Sequence, residues 1–206
     1  MTRLGRVSAF VVAALVVAVA VVLVVIQLGG LTGGAVAGEP TGSAGNTTNS
    51  TVDITASDTA LGAPTRVTIP AIGVDASLVA VGLNPDASMQ TPDFGHAAWY
   101  QPGPKPGEVG PAVVVAHVDS KAHGPDVFYR LHELKPGDRV TVHYTDTERT
   151  FEVTGREQTK KSALPTDRIW NTTGEPVLRL ITCGGAFDSA ARSYLDNIIV
   201  YADRLV

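Results

Sequence analysis

The only cysteine of the chain, Cys183, ends the strand-like run Val177–Thr182, and Gly184 and Gly185 follow at once. A thiol at the end of a strand can serve as a nucleophile. Glycines beside it, having no Cβ, let backbone or substrate approach closely. The same thiol fits equally well as a small buried hydrophobe. To react near neutral pH it needs a base or an electropositive setting. Five histidines are available. His117 ends the apolar run Ala112–Ala116 and repeats the layout at Cys183. If the two runs are neighbouring strands, their ends bring thiol and imidazole together. His143, inside Thr141–Tyr144, reads as a cross-strand packing residue, and His96, His123 and His132 read as solvated. Arg192, nine residues after Cys183, has the fixed charge and fork of donors that stabilise an oxyanion or orient a substrate. Alone, it reads equally as a surface arginine. His117, Asp119 and His123 fall close enough to be weighed as metal ligands, but loop-borne acids and histidines are common, and no metal and no cofactor is expected. Neither a phosphate-binding glycine loop nor a serine-nucleophile elbow is present.

The elements that must position these groups read as short strands. Arg66–Ile69, Ala76–Val81, Ala112–Ala116, Arg139–Tyr144, Thr150–Val153, Val177–Thr182 and Asn197–Tyr201 are rich in Val, Ile, Thr and Tyr, with Gly, Pro, Asp or Asn between them. Lys135-Pro136-Gly137-Asp138 is a strong turn signal. No long stretch has helical periodicity, so helices should be few and short. Residues 65–206 therefore form a mainly β head of roughly 140 residues, enough for one core. Closure into a barrel would remove its exposed edges.

The remainder of the 206 residues reads as appendage. Ala9–Ile26 is eighteen residues without a polar side chain, about the length that crosses a bilayer core. Arg3 and Arg6 precede it and no charge follows until Glu39, which puts the head outside the membrane. The expected organisation is a cytoplasmic N-terminus (1–6), a single-pass transmembrane anchor (7–28), a flexible Gly/Ser/Thr-rich extracytoplasmic linker (29–64) and the head. A cleaved secretory signal is the alternative, with Ala35-Val36-Ala37 as its cleavage site. In either case the head is extracytoplasmic, and a single cysteine there has no internal disulfide partner. The net charge of −4 leaves no basic footprint, so nucleic acid is excluded as a partner.

Leu180-Ile181-Thr182-Cys183 resembles the nucleophile motif of sortases. The run from Ile181 to Asp188, followed by Tyr194 to Ala202, is similar to the class F sortases of actinobacteria. Ala116-His117-Val118-Asp119-Ser120 resembles the histidine motif of that class, and Ile69–Val74 and Pro106–Gly110 match its texture. The likeness covers about residues 66–204. Three positions depart from it. Arg179 stands where the motif has a threonine, and Ala116 where a glycine is common. The active-site arginine of sortases commonly follows the cysteine by about a dozen residues, which here falls on Leu195 and leaves Arg192 three residues short.

The resemblance implies an eight-stranded β-barrel and a cysteine transpeptidase. Cys183 would attack a carbonyl in a sorting signal of the Leu-Pro-x-Thr-Gly type and form a thioester. His117 would move the protons, Arg192 would hold the oxyanion or substrate, and Thr182 would bind substrate. The partners implied are a surface protein's sorting-signal peptide and an amine acceptor such as a cell-wall precursor, met at the cell membrane of a Gram-positive cell. Two other readings stay open: a secreted cysteine peptidase, and a non-catalytic envelope-binding module with Cys183 merely buried.

Overall fold

The computed structural model describes residues 61–171 and 174–206; the expected anchor and most of the linker lie outside these residues. Among the described residues no helix is long and apolar enough to cross a membrane.

The head holds ten strands: β1 (Arg66–Ile69), β2 (Val74–Val81), β3 (Ala97–Tyr100), β4 (Gly110–Ala116), β5 (Asp119–Ser120), β6 (Gly124–Pro125), β7 (Arg139–His143), β8 (Glu148–Lys160), β9 (Pro176–Asp188) and β10 (Ser193–Arg204). Eight of them close into a barrel in the order β1-β2-β3-β4-β9-β10-β8-β7, as the sequence led us to expect. β7 returns to β1 with Val67 opposite Val142. β5 and β6 form a separate two-stranded ribbon. Helices are short: among the described residues they are three 3-10 turns and α1 (Thr166–Ile169).

Two pairings are parallel, β2 with β3 and β4 with β9. Both need a crossover rather than a hairpin, and the second carries the chain from His117 round to Glu175. The β-branched runs pair as anticipated, but the ladders extend further. β8 continues through Gly155 to Lys160 and β9 through Gly184 to Asp188. β10 matches both along its length, apart from irregularities at Tyr201/Ala202 and Tyr194/Asp196. β3, Ala97-Ala98-Trp99-Tyr100, was not anticipated: its two alanines are weak strand formers, and its pairing on both sides makes it a strand.

Side chains alternate across the wall. Inward-facing Ala112, Val114, Leu178, Leu180, Ile198 and Val200 join Phe128, Phe151 and others in one buried core. Outward-facing Val113 and Ile199 meet Met89 and Ile169 in a second, smaller cluster. Leu164 and Trp170, from the segment around α1, pack on this outer cluster together with Val115 and Ile181. His143 bridges strands, bonding Thr68 Oγ1 through Nε2 at 3.0 Å.

Candidate active site

The parallel register of β4 and β9 pairs Val115 with Ile181; continued by two residues, it sets His117 beside Cys183. Both follow the outward-facing positions of their strands, since Val113 and Val115 precede one and Ile181 the other. Asn197 of β10 lies directly opposite Cys183. Asn197, Cys183 and His117 thus form a row across three adjacent strands, and all three line one mostly apolar cleft. Val115 and Ile181 make its floor, and Leu164, Ile169 and Trp170 stand on one side with Met89 to Pro92 on another. The indole Nε1 of Trp170 is buried there without a hydrogen-bond partner.

Each member of the row is held by identifiable contacts. Thr182, buried on the inner face, donates its hydroxyl to the Ala116 carbonyl at 2.8 Å, which ties the two strand ends together one residue before the thiol and the imidazole. The Phe128 N–H donates to the His117 carbonyl at 3.0 Å. The His117 ring stacks on Phe94 with centroids 4.4 Å apart, and its Nε2 lies 2.9 Å from the Pro92 carbonyl. A carbonyl only accepts, so Nε2 carries the hydrogen and Nδ1 is the nitrogen left to exchange a proton.

The glycines after the thiol are required by packing. A Cβ on Gly184 would lie 2.7 Å from Ile198 Cδ1. Gly185 has φ +76°, and a Cβ there would collide with the Asp196 carboxyl. The path that β9 takes past the thiol at Gly185 is therefore available only to glycine.

Burial pushes the Cys183 thiol above its ordinary value, against a downward pull from the charge and N–H donors of Lys161; Asp119 adds a further upward push. Asp119 also accepts a hydrogen bond from the Tyr194 hydroxyl at 2.7 Å. That bond is the main reason the phenol is pushed up to about 12.

Arg192 is not among the residues that line this cleft. It lies exposed in the β9–β10 turn with φ 51°, beyond the Asp188–Ser193 pair. Its chain neighbour Ser193 accepts a hydrogen bond from the Lys161 Nζ at 2.8 Å, the same ammonium that acts on the Cys183 thiol. Leu195, the position suggested by the arginine count, is 51% exposed at the β10 irregularity. His123 packs against Phe94 rather than on Asp119, and among the described residues no group of His, Cys, Asp or Glu is arranged to hold a metal. Lys161 gave no signal in the sequence, because nothing in a Lys160-Lys161 pair marks one of them as facing a thiol more than twenty residues away.

Arg179, the departure in the nucleophile motif, also has a defined place. Its buried guanidinium donates to the Arg168 carbonyl at 3.4 Å and to Asn171 Oδ1 at 3.2 Å, and lies 4.8 Å from the Tyr201 ring centroid. It fastens the segment that flanks the cleft to the barrel wall.

The Sortase domain family model matches residues 67–205. The chain belongs to the sortase family. No curated protein matches this sortase, but solved sortase structures do. Sortase C-1 from Actinomyces oris is 20% identical with a TM-score of 0.55, over 69% of this chain and 75% of that one. The sortase D5 transpeptidase of Clostridium perfringens is 18% identical with a TM-score of 0.52, over 70% and 79%. Sortase A from Corynebacterium diphtheriae is 17% identical with a TM-score of 0.55, over 71% of this chain and 62% of that one. At such identities the structural likeness speaks to the fold. Membership of the family makes this chain a sortase-type cysteine transpeptidase.

Proposed function

We propose that this sortase, of the class F type, is anchored in the cell membrane by residues 7–28 and joins a sorting-signal peptide of the Leu-Pro-x-Thr-Gly type to an amine at the outer face. Cys183 is its nucleophile and His117 its acid and base. The observation that carries the reading is the row Cys183–His117, two reactive groups on one face where β4 ends beside the middle of β9, lining one apolar cleft.

Burial favours the thiol over the thiolate, and the thiol proton passes to His117 as Sγ attacks the scissile carbonyl. The C–S bond forms, and the C–N bond then breaks as the imidazolium gives its proton to the leaving amine. A thioester remains. An incoming amine loses a proton to His117 and attacks the thioester; the new C–N bond forms, and the sulfur leaves and regains its proton. The apolar floor suits the Leu and Pro of such a signal, and an N-terminal anchor with a flexible linker keeps the head where both substrates meet. Thr182, expected to bind substrate, instead donates its hydroxyl to the Ala116 carbonyl at the inner face and keeps the two strands in register.

The test is the full chain in detergent micelles, with a Leu-Pro-x-Thr-Gly peptide, with and without a primary amine, and products weighed by mass spectrometry. An amine-capped product that disappears in Cys183→Ala, with an unchanged melting temperature, is expected. A hydrolysed product alone, unaffected by amine, would make the protein a peptidase. A folded chain with no turnover would make the head a binding module.

A further inference from the structure

Asn197 is the member of the row that bonds nothing. It lies between Thr159 of β8 and Cys183 of β9 in the ladder. The residue is 4% exposed and lines the cleft, and among the described residues its side-chain amide makes no hydrogen bond. A buried amide without a partner costs the fold the desolvation of its polar atoms. The next outward position on β10, Ile199, is fully buried in the outer cluster. An aliphatic side chain at 197 would extend that cluster without the cost. A polar group left open in this way calls for a partner that the chain itself does not supply.

Other polar side chains of the cleft are engaged or stand apart. Gln90 Oε1 accepts the Gly82 N–H at 2.9 Å, while Thr182 and His117 bond the Ala116 and Pro92 carbonyls. Thr159, the other ladder neighbour, donates its hydroxyl to the Ala163 carbonyl at 3.0 Å. Thr91 is exposed on the rim, and Trp170 stands on the flank. Asn197 alone is both uncommitted and directly opposite the sulfur-bearing residue. Side chains so paired have Cβ atoms about 4.5–5.5 Å apart, and an amide nitrogen lies two bonds beyond its Cβ. A carbonyl carbon bonded to Sγ therefore carries its oxygen within reach of that nitrogen. The oxygen only accepts and the amide nitrogen only donates.

We propose that Asn197 is a catalytic residue of this site: its Nδ2–H donates to the oxygen of the carbonyl that Cys183 attacks. The proposal rests on Cys183 being the nucleophile. As the C–S bond forms, the carbonyl π pair moves onto oxygen and the N–H···O bond strengthens; the pair returns when the C–N bond breaks. The same donor meets the same oxygen when the amine attacks the thioester. No proton leaves Asn197, and the protons stay with His117. The amide is neutral, so it adds to a cation at the site and does not replace one.

Full-length protein in detergent micelles is compared with Asn197→Ala, Asn197→Leu and Asn197→Asp. The readouts are kcat and KM for peptide with amine, melting temperature, and iodoacetamide alkylation of the single thiol. Removing one preorganised donor to a tetrahedral intermediate lowers kcat by about 10²–10³-fold. Asn197→Ala and Asn197→Leu should therefore lower kcat about a hundredfold, with KM and the alkylation rate within a few-fold of native. Asn197→Leu, which extends the apolar cluster, should stay folded even where the alanine variant does not. Asn197→Asp keeps the shape but sets a second acceptor against the oxyanion, and should recover no kcat. A kcat within a few-fold of native in any folded variant overturns the proposal. So does a loss carried by KM alone, or one matched by an equal fall in alkylation of the alanine and leucine variants, since Asn197 would then only shape the cleft or orient the thiol. Failure of the transpeptidase reading is distinct. The native chain would then give only hydrolysed product, whose kcat still reports on Asn197, or no product at all, which overturns both.

Discussion

Leu180 and Ile181 are neighbours on β9, yet they face two different environments. Leu180 points into the barrel, fully buried with Val114, Val200 and Phe151. Ile181 points outward and is only partly covered, packing with the cluster of Met89, Val113, Ile169 and Ile199. The inner cluster is enclosed by the barrel wall, with Ile72, Phe128, Leu131 and Leu134 from the turns completing it. The outer one is bounded on one side by a four-residue helix and the turns about it, and it leaves a cleft beside Cys183. Density is the requirement inside; outside, the requirement is a gap of the right shape. Strand alternation lets the same residues of sequence serve both.

The sharpest way to break this comparison is to shorten both neighbours. Leu180→Ala should cost about 2–5 kcal/mol of folding stability, read as a lower midpoint in denaturant. Ile181→Ala should cost less, with a larger share of its effect in the KM for peptide. Equal losses of stability with no kinetic change in Ile181→Ala would mean the outer cluster is simply more core.

Arg179 tests the border between the two environments. It reaches from the wall to the Arg168 carbonyl and Asn171, and hydrogen bonds to a charged group are worth roughly 1.5–3 kcal/mol. Arg179→Met should raise KM and speed amide hydrogen exchange over residues 164–170 while the inner strands stay protected. Uniformly faster exchange would place Arg179 among the residues that hold the barrel itself.

The smallest effect is expected at Phe94, which is 40% exposed and contributes little to either cluster. Its stacking on His117 is worth about 0.5–1.5 kcal/mol. Phe94→Ala should therefore leave the melting temperature nearly unchanged and lower turnover by a few-fold to about tenfold. No kinetic change would show that the Pro92 carbonyl alone orients the imidazole.

The barrel was legible because its inner strands are β-branched runs bounded by Gly and Pro. β3 was not, since two alanines carry no strand signal, and β8 and β9 were underestimated because their polar ends pair only by virtue of β10. Of the candidate site, Cys183 and His117 were readable as reactive residues each closing an apolar run. The glycines were readable too, although the reason for them, Ile198 and the Asp196 carboxyl across the ladder, was not. Lys161 and the residues around α1 were invisible, because their proximity to the thiol is decided by which strand lies beside which. Arg192 drew attention by its spacing from Cys183, but the course of the β9–β10 turn, with its irregularity at Tyr194/Asp196, is set by pairing and not by spacing.

The alignment of His117 with Cys183 is fixed by ladder hydrogen bonds between β4 and β9 and by the Thr182–Ala116 bond. It does not depend on the length of chain joining the two strands. The part of the crossover that follows the barrel strand β8, residues 164–175, can accordingly be exchanged without shifting sulfur against imidazole. Selectivity can be remodelled in the stretch that borders the cleft while the chemistry stays in register, so chimaeras that exchange residues 164–175 and keep β7 and β8 are natural units for transplanting substrate preference.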